Sequence, residues 1–305
     1  MCGIAGYITI GKYSNSLFEK NAIDLKKIMK NRGPDQQGSF RKSRKNYSVN
    51  FFSSRLSIID LDKRSNQPFH SGNHVLVFNG EIYNYLEIRK TLESKGVKFK
   101  TLSDTEVLIK SYQYWGKNCT KYFDGMWAFA IYDYLKEEVF LSRDNFGEKP
   151  LYYYLDHKNL IFGSEIKFIH NLIQDEYVKK INYDKINDYL TKGYKSLNKN
   201  NSSFYKNINQ LESGSNLIIN LNKFKVIKEK YLNKSELINQ KISDDKNDNI
   251  FAIKDLLIQS MKRRLRSDVP ISFCLSGGVD SSSLVSLSYK HFNLKPKCYS
   301  IIDSD

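Results

Sequence analysis

Between residues 126 and 163 four short apolar segments follow one another: MWAFAIYDY, EVFLSRD, PLYYYLD and NLIFGS. Each is rich in aromatic and β-branched side chains, and turn residues separate them, so they are strands rather than pieces of helix. Their close succession predicts a β-meander. Earlier in the chain, residues 3–10 (GIAGYITI) form another apolar, β-branched run suited to a buried strand. Residues 17–30 carry Leu17, Ile23, Leu25, Ile28 and Met29 at near-helical spacing, and RGPD from Arg32 to Asp35 ends that helix, because the residue before a proline avoids the α region. Strands are expected at 47–59 and 74–79, and helices at 83–95 and 104–115.

After about residue 170 the texture changes to short helices and polar loops, then a hairpin of 215–221 and 224–231 turning at Asn222 and Lys223. The polar stretch 233–248 (NKSELINQKISDDKND) is the best linker candidate. Beyond it come an amphipathic helix at 249–266, the apolar strand ISFCL at 271–275, the turn SGGVDSS, a helix at 282–291 and a strand at 298–302. Strand, Gly-rich turn, helix, strand opens a doubly wound parallel sheet. One or two parallel strands bury too little to stand alone, so 249–305 is expected to be a fragment or to dock on something else.

The 305 residues suffice for two domains, and a 40% hydrophobic content suffices for packed cores. Cys2, Cys119, Cys274 and Cys298 show no paired spacing, which suggests a reduced, cytoplasmic protein. No basic stretch precedes an apolar core at the N-terminus, and no apolar run approaches the ~20 residues that span a bilayer, so neither secretion nor a membrane is expected. The net charge of +15 raises the question of a nucleic-acid partner. No segment collects that charge with interleaved aromatics, and the densest run, RKSRK from Arg41 to Lys45, reads as a strand end and a turn. A solvated, Lys-rich surface with no nucleic acid bound is the reading adopted.

Cys2 is the second residue, and Met1 precedes a small side chain, the usual condition for its removal. Cys2 would then carry a free α-amine with an ordinary pKa of about 7.7–8.0, a base built into the residue that bears the thiol. Gly3 leaves room for a substrate to approach the backbone. Position alone does not separate this from an uninvolved second residue.

The decision comes from a series of ordered strings. MCGIAGY at 1–7, RGPD at 32–35, RLSIIDL at 55–61, NGEIYNY at 79–85, SDTEVLI at 103–109, DGMWAFAIYD at 124–133, RDNFGEKPLYY at 143–153 and GSEIK at 163–167 resemble the class II, N-terminal-nucleophile glutaminase domain. LSGGVDSS at 275–282 adds the ATP-pyrophosphatase motif, and the whole series resembles glutamine-hydrolysing asparagine synthetases. The resemblance implies a four-layer αββα sandwich with two antiparallel sheets between helices (α+β), followed by the start of an α/β doubly wound ATP-pyrophosphatase-type domain. It divides the chain into a glutamine amidotransferase domain with its C-terminal extension at 2–232 and a partial synthetase domain at 249–305. It implies Cys2 as the attacking thiol, with the Asn79 side chain and the Gly80 backbone N–H as the oxyanion hole. Arg55 would pair with the α-carboxylate of glutamine, Glu81 and Asp104 with its α-ammonium, and Ile58 would contribute through its main chain. The bland readings are Arg55 as a surface charge, Asp104 as a helix N-cap with Glu106 in the first turn, and Glu81 as a solvated turn residue.

In SGGVDSS, Ser276, Gly277, Gly278, Ser281 and Ser282 lie between a strand and a helix N-terminus, where N–H groups, hydroxyls and the helix dipole suit a phosphate. The bland reading is an ordinary serine-capped turn. The resemblance implies ATP at this loop, with Leu275 touching adenine through its backbone, Asp280 on Mg2+, and Ile301 lining the nucleotide pocket, although YSIID departs from the usual string. The family's activity is asparagine synthesis from aspartate, ATP and glutamine, with ammonia passing between the domains. The sequence ends at Asp305, so the expectation is a truncated or split synthetase that hydrolyses glutamine at most, works as a homodimer or with a separately encoded remainder, or is a relic. A related amidotransferase acting on a sugar or another carboxylate is the alternative enzyme.

Overall fold

A chain whose second to tenth residues alternate small and branched apolar side chains forms a strand with both faces covered, and β1 (Gly3–Ile10) is such a strand. The structure, a computed structural model, describes residues 1–11, 15–173, 176–194, 197, 200–232 and 245–302. The chain divides into two units, Met1–Ser57 with Asp62–Leu232, and Ile58–Leu61 with Asn233–Asp305.

In the first unit, α1 (Asn15–Met29) is followed by β2 (Gln36–Ser43), β3 (Tyr47–Arg55), β4 (Phe69–Ser71) and β5 (His74–Ile82). Then come α2 (Tyr85–Glu93), α3 (Asp104–Trp115), β6 (Gly125–Asp133), β7 (Glu138–Arg143), β8 (Tyr152–Leu155) and β9 (Asn159–Gly163). The unit ends with α4 (Ile166–Leu172), α5 (Tyr183–Lys192), β10 (Ile208–Gln210), β11 (Ser215–Asn220) and β12 (Lys225–Lys230). The strands form two six-stranded sheets, β10-β8-β9-β1-β3-β2 and β12-β11-β7-β6-β5-β4. Every pairing within them is antiparallel.

Three apolar layers hold this unit. The inner faces of the sheets meet through Ile4, Ile8, Val49, Phe51, Val75, Val77, Ala128, Leu141 and Phe162. On the outside of the first sheet, Phe18, Leu25 and Met29 of α1 and Phe168 and Ile169 of α4 cover Ala5, Phe52 and Ile161. On the outside of the second, Ile88, Leu92, Val107 and Leu108 of α2 and α3 cover Leu76, Phe78 and Phe129. Helix, sheet, sheet, helix is the expected αββα sandwich.

The β-meander expected over 126–163 is corrected. β6 pairs with β7 in the second sheet, but β8 and β9 form their hairpin in the first. Between them the chain crosses from sheet to sheet, through a loop organised by two buried charges. Asp144 accepts N–H bonds from Phe146 and Glu148 on Oδ1 at 3.1 and 2.9 Å, and from Trp127 and Lys149 on Oδ2 at 3.2 and 2.9 Å. Arg143 donates to the carbonyls of Lys149, Gly147 and Leu211 at 2.8, 2.6 and 2.7 Å. Gly147 has φ +70°, and a Cβ there would stand 2.9 Å from the guanidinium, so glycine is required on both counts.

The second unit has α6 (Lys246–Arg264), β13 (Ser272–Cys274), α7 (Val279–Phe292) and β14 (Lys297–Tyr299). β13 and β14 pair in parallel, as the strand–turn–helix–strand pattern requires. Of the expected linker, 233–244 lie outside the described residues; Asp245 caps α6 by accepting the Asn247 N–H at 2.7 Å, and 246–248 are its first turn. Among the described residues no helix is long and apolar enough to cross a membrane, and all four cysteines are free.

Candidate active site at the end of the inter-sheet layer

Side chains two apart on a strand share a face. On β5, Val75 and Val77 face the inter-sheet core, and the same parity continues to Asn79 and Glu81. On β3, Tyr47, Val49 and Phe51 face that core, and the parity continues through Ser53 to Arg55. On β1, Ile8 and Ile4 face it, and Cys2 follows next. Gly3 pairs with Ser54, so the register sets Cys2 beside the end of β3. The inner layer thus ends on a thiol, a guanidinium, an amide and a carboxylate.

Cys2 is held from both sides. Its Sγ accepts the Leu56 N–H at 3.3 Å and donates to the Leu56 carbonyl at 3.5 Å. Its own carbonyl accepts Arg32 Nε at 2.8 Å, and Arg32 Nη1 pairs with Glu165 at 3.0 Å. Arg32 Nη2 is buried with no partner among the described residues. Burial pushes the Cys2 thiol pKa up, and Glu81 adds to that; the Leu56 N–H, the terminal amine and Arg55 pull the other way. Burial likewise lowers the Met1 α-amine.

Asn79 is 1% exposed, and its Nδ2 has no acceptor among the described residues. A buried amide donor left without a partner costs about 1–3 kcal/mol, so it marks a position tuned for something that arrives. Next to it a Cβ on Gly80 would meet the Met126 carbonyl at 2.1 Å, so only glycine lets β5 and β6 approach there.

Arg55 is buried, with Nη1 donating to the Asp62 carbonyl at 3.4 Å and to Asn66 Oδ1 at 3.2 Å, which removes the surface-charge reading. Glu81 lies within β5 rather than on a solvated turn. The N-cap of α3 is Ser103, whose Oγ accepts the Thr105 N–H, so the cap reading of Asp104 is corrected. Asp104 is the first helical residue, is buried, and accepts the Ile82 N–H on Oδ2 at 3.0 Å, which ties it to the end of β5. Glu106 is occupied by the Lys100 and Thr101 N–H groups. Burial raises Asp104 from 3.8 to about 6, against the hydrogen bonds it accepts and the attraction of Arg55. Burial and then the like charge of Asp104 raise Glu81 well above the usual carboxylate range.

Cys2, Arg55, Asn79, Gly80, Glu81 and Asp104 therefore share one locale, whereas Ile58 does not belong to that unit. It groups with the second, where its carbonyl accepts the Asp268 N–H at 2.9 Å. Two neighbours of the thiol were not anticipated. Arg32 reads in sequence as part of a helix stop, and Lys149 as part of the string RDNFGEKPLYY; only burial beside other charges distinguishes them.

In the second unit, Ser276 and Ser281 face each other with hydroxyls 3.1 Å apart, Ser281 Oγ donates to the Gly278 carbonyl at 3.2 Å, and Gly277 takes φ +80°. Gly278 caps α7 and Asp280 lies in its first turn. The Leu275 N–H donates to Tyr299 at 2.8 Å, and its carbonyl accepts Ser300 Oγ at 2.6 Å, leaving that carbonyl one further lone pair. Ile301 lies past the end of β14 and is fully exposed. No group of three or more metal-ligating side chains occurs among the described residues.

The glutamine amidotransferase domain profile matches residues 1–232. The chain belongs to the glutamine amidotransferase domain family. Residues 252–302 match the asparagine synthase family, and the pairing of the two is that of the class II, glutamine-hydrolysing asparagine synthetase family. Among curated relatives, a putative glutamine-hydrolysing asparagine synthetase 2 of Methanocaldococcus jannaschii is 38% identical over 93% of this chain and 56% of its own length. Asparagine synthetase 3 of Bacillus subtilis is 28% identical over 97% of this chain and 47% of its own. The chain thus spans about half the length of the curated relatives it matches. Among solved structures, the glutamine PRPP amidotransferase of B. subtilis aligns with a TM-score of 0.52 at 16% identity, covering 98% of this chain and 65% of that one. That likeness extends the family's sandwich fold to this chain.

Proposed function

We propose that this chain is the glutamine-hydrolysing part of an asparagine synthetase, with Cys2 as nucleophile. The observation that carries the reading is the partnerless, buried Asn79 amide at the layer end where Cys2 lies. Burial raises the thiol pKa, so Cys2 needs a base when it attacks. With Met1 removed, its own α-amine is that base. Sγ attacks the glutamine side-chain carbonyl carbon while the amine takes the thiol proton. Asn79 Nδ2 and the Gly80 N–H receive the oxyanion, which exists only past the ground state. The amine returns the proton to the departing nitrogen, ammonia leaves, and water cleaves the γ-glutamyl thioester to glutamate. Arg55 forks onto the substrate α-carboxylate, and Glu81 and Asp104 receive its α-ammonium, whose charge offsets the repulsion that raises both carboxyl groups.

The loop at Ser276–Ser281 suits an ATP polyphosphate. Its hydroxyls now satisfy one another, and the first turn of α7 offers N–H groups to an anion. Asp280, in the first turn of α7, would be the carboxylate that holds Mg2+, which would neutralise phosphate charge there. In a whole synthetase, ATP bound there would convert the β-carboxylate of aspartate to its adenylate with release of pyrophosphate, and ammonia would displace AMP to give asparagine. A glutamine-derived thiol inhibitor tests the first half: it is expected to label Cys2, at the mature N-terminus by mass spectrometry, and to leave Cys2→Ala unlabelled and without glutaminase activity. Labelling at Cys119, or none, overturns the reading.

A further inference from the structure

Lys149 is a buried lysine that no part of this mechanism uses. Its side chain is in a residue only 7% exposed. Among the described residues its ammonium makes no hydrogen bond or close ion pair; only its main chain is tied down. Drawing a lysine this far out of solvent without a hydrogen-bond partner is costly unless an opposite charge stands nearby.

The backbone fixes where Lys149 stands relative to β5 and β6. Asp144 Oδ2 accepts both the Lys149 N–H at 2.9 Å and the Trp127 N–H at 3.2 Å, and the Asp144 N–H donates to the Trp127 carbonyl at 2.9 Å. Trp127 is the cross-strand partner of Gly80, and Met126 that of Glu81. One carboxylate thus clasps Lys149 to the strand position opposite the Asn79–Gly80–Glu81 stretch of β5. Arg143 fixes the Lys149 carbonyl at 2.8 Å, so the residue cannot swing out with its loop.

We infer that Lys149 is a positioning residue for the glutamine α-ammonium: it supplies the positive charge that stands with the Glu81 and Asp104 carboxyl groups in the unliganded site. This rests on the glutaminase reading above. The charged groups that bear on Glu81 are Asp104, Lys149 and Arg55. Those that bear on Lys149 are Glu81, Cys2, Arg32 and Glu148, with Glu81 the foremost attraction set against burial. Two carboxyl groups with no cation beside them would share a proton, and a half-protonated pair binds an ammonium poorly. Lys149 lowers the pH at which the pair becomes fully charged.

The test compares Lys149→Met, Lys149→Gln and Lys149→Arg in the full chain, by glutaminase kinetics against pH and by the rate at which iodoacetamide alkylates Cys2. Iodoacetamide has no α-ammonium, so it reports on the thiol alone. Both neutral variants are expected to raise KM for glutamine about tenfold with kcat within about threefold. They should move the acid limb of kcat/KM to higher pH, and leave alkylation within about twofold; arginine should restore most of KM. An unmoved KM and acid limb in an active protein overturns the Lys149 role while the glutaminase reading stands. Equal losses in kcat and alkylation assign Lys149 to the thiol instead, and also overturn it. Loss of folding in both neutral variants makes Lys149 structural. A wild-type chain that neither hydrolyses glutamine nor is labelled at Cys2 overturns both readings together.

Discussion

The two units treat apolar side chains in opposite ways. Every residue of β3 is buried, and so are Trp127 through Asp133 on β6. From Asp245 onward, Met261 and Ser288 are the buried positions among the described residues, while Ile250, Phe251, Ile253, Leu256 and Leu257 of α6 are exposed. At about 25 cal/mol per Å2 of apolar surface, the first unit gains from three buried apolar layers, and the second gains from almost none of its large side chains. A site that holds an unsatisfied amide and two repelling carboxyl groups needs a scaffold that overpays for it elsewhere, and only the first unit has one. The second resembles a sheet with its covering layers missing.

The largest expected effect breaks this comparison directly. Phe129→Ala removes a fully buried ring between β6 and the α2–α3 layer and is expected to cost about 3–5 kcal/mol in denaturant unfolding. Phe251→Ala, at a residue 64% exposed, is expected to stay within about 0.5 kcal/mol. A comparable cost at both positions would mean that α6 is covered in solution.

Asn79→Ala sharpens the comparison from within the first unit. It removes one oxyanion donor, so kcat is expected to fall about 10²–10³-fold with little change in KM. Stability should hold or rise, because the deleted donor had nothing to bond. A raised KM with kcat intact would move Asn79 from the oxyanion to the ground-state substrate.

Much of this site was legible because the ordered strings fall on strands, and a strand's period of two fixes which residues face inward. Cys2, Arg55, Asn79 and Glu81 were named from the strings, and the fold shows that they end the same inner layer. What failed was non-local. The turn after Arg143 looks like any other turn, and nothing in its composition says that the next hairpin joins the other sheet; that is decided by Asp144 and Arg143 binding distant main chain. Ser103 and Asp104 are both good cap residues, and only the bond to Ile82 shows that Asp104 reaches away from its helix. The strand expected to run to 59 stops at Arg55, where the chain turns so that the Ser57 N–H meets Asp35 Oδ2 at 2.7 Å. Lys149 carries no local signal, since a lysine becomes informative only once the residue is known to be largely out of solvent.

The smallest expected effect concerns the cost of holding Asp104 ready. Burial raises its pKa from 3.8 to about 6, so the folded state binds this proton more tightly than the unfolded chain does. A raised carboxyl favours folding only while protonated: the penalty is absent below about pH 4, grows between 4 and 6, and is complete above 6. Asp104→Asn keeps an oxygen for the Ile82 N–H and cannot ionise, so it escapes that penalty. At 1.36 kcal/mol per pKa unit, and with part of the shift shared with Glu81, the variant is expected to be about 1–2 kcal/mol more stable than wild type at pH 7.5. For a unit of this size that is a rise of a few degrees in Tm, vanishing near pH 4. Its KM for glutamine should rise at the same time, because half of the ammonium's counter-charge is gone. A variant less stable than wild type at pH 7.5 would mean that Asp104 is held in place as a structural anion, and the contrast between a strained site and a well-paid scaffold would fail at the residue where it is most direct.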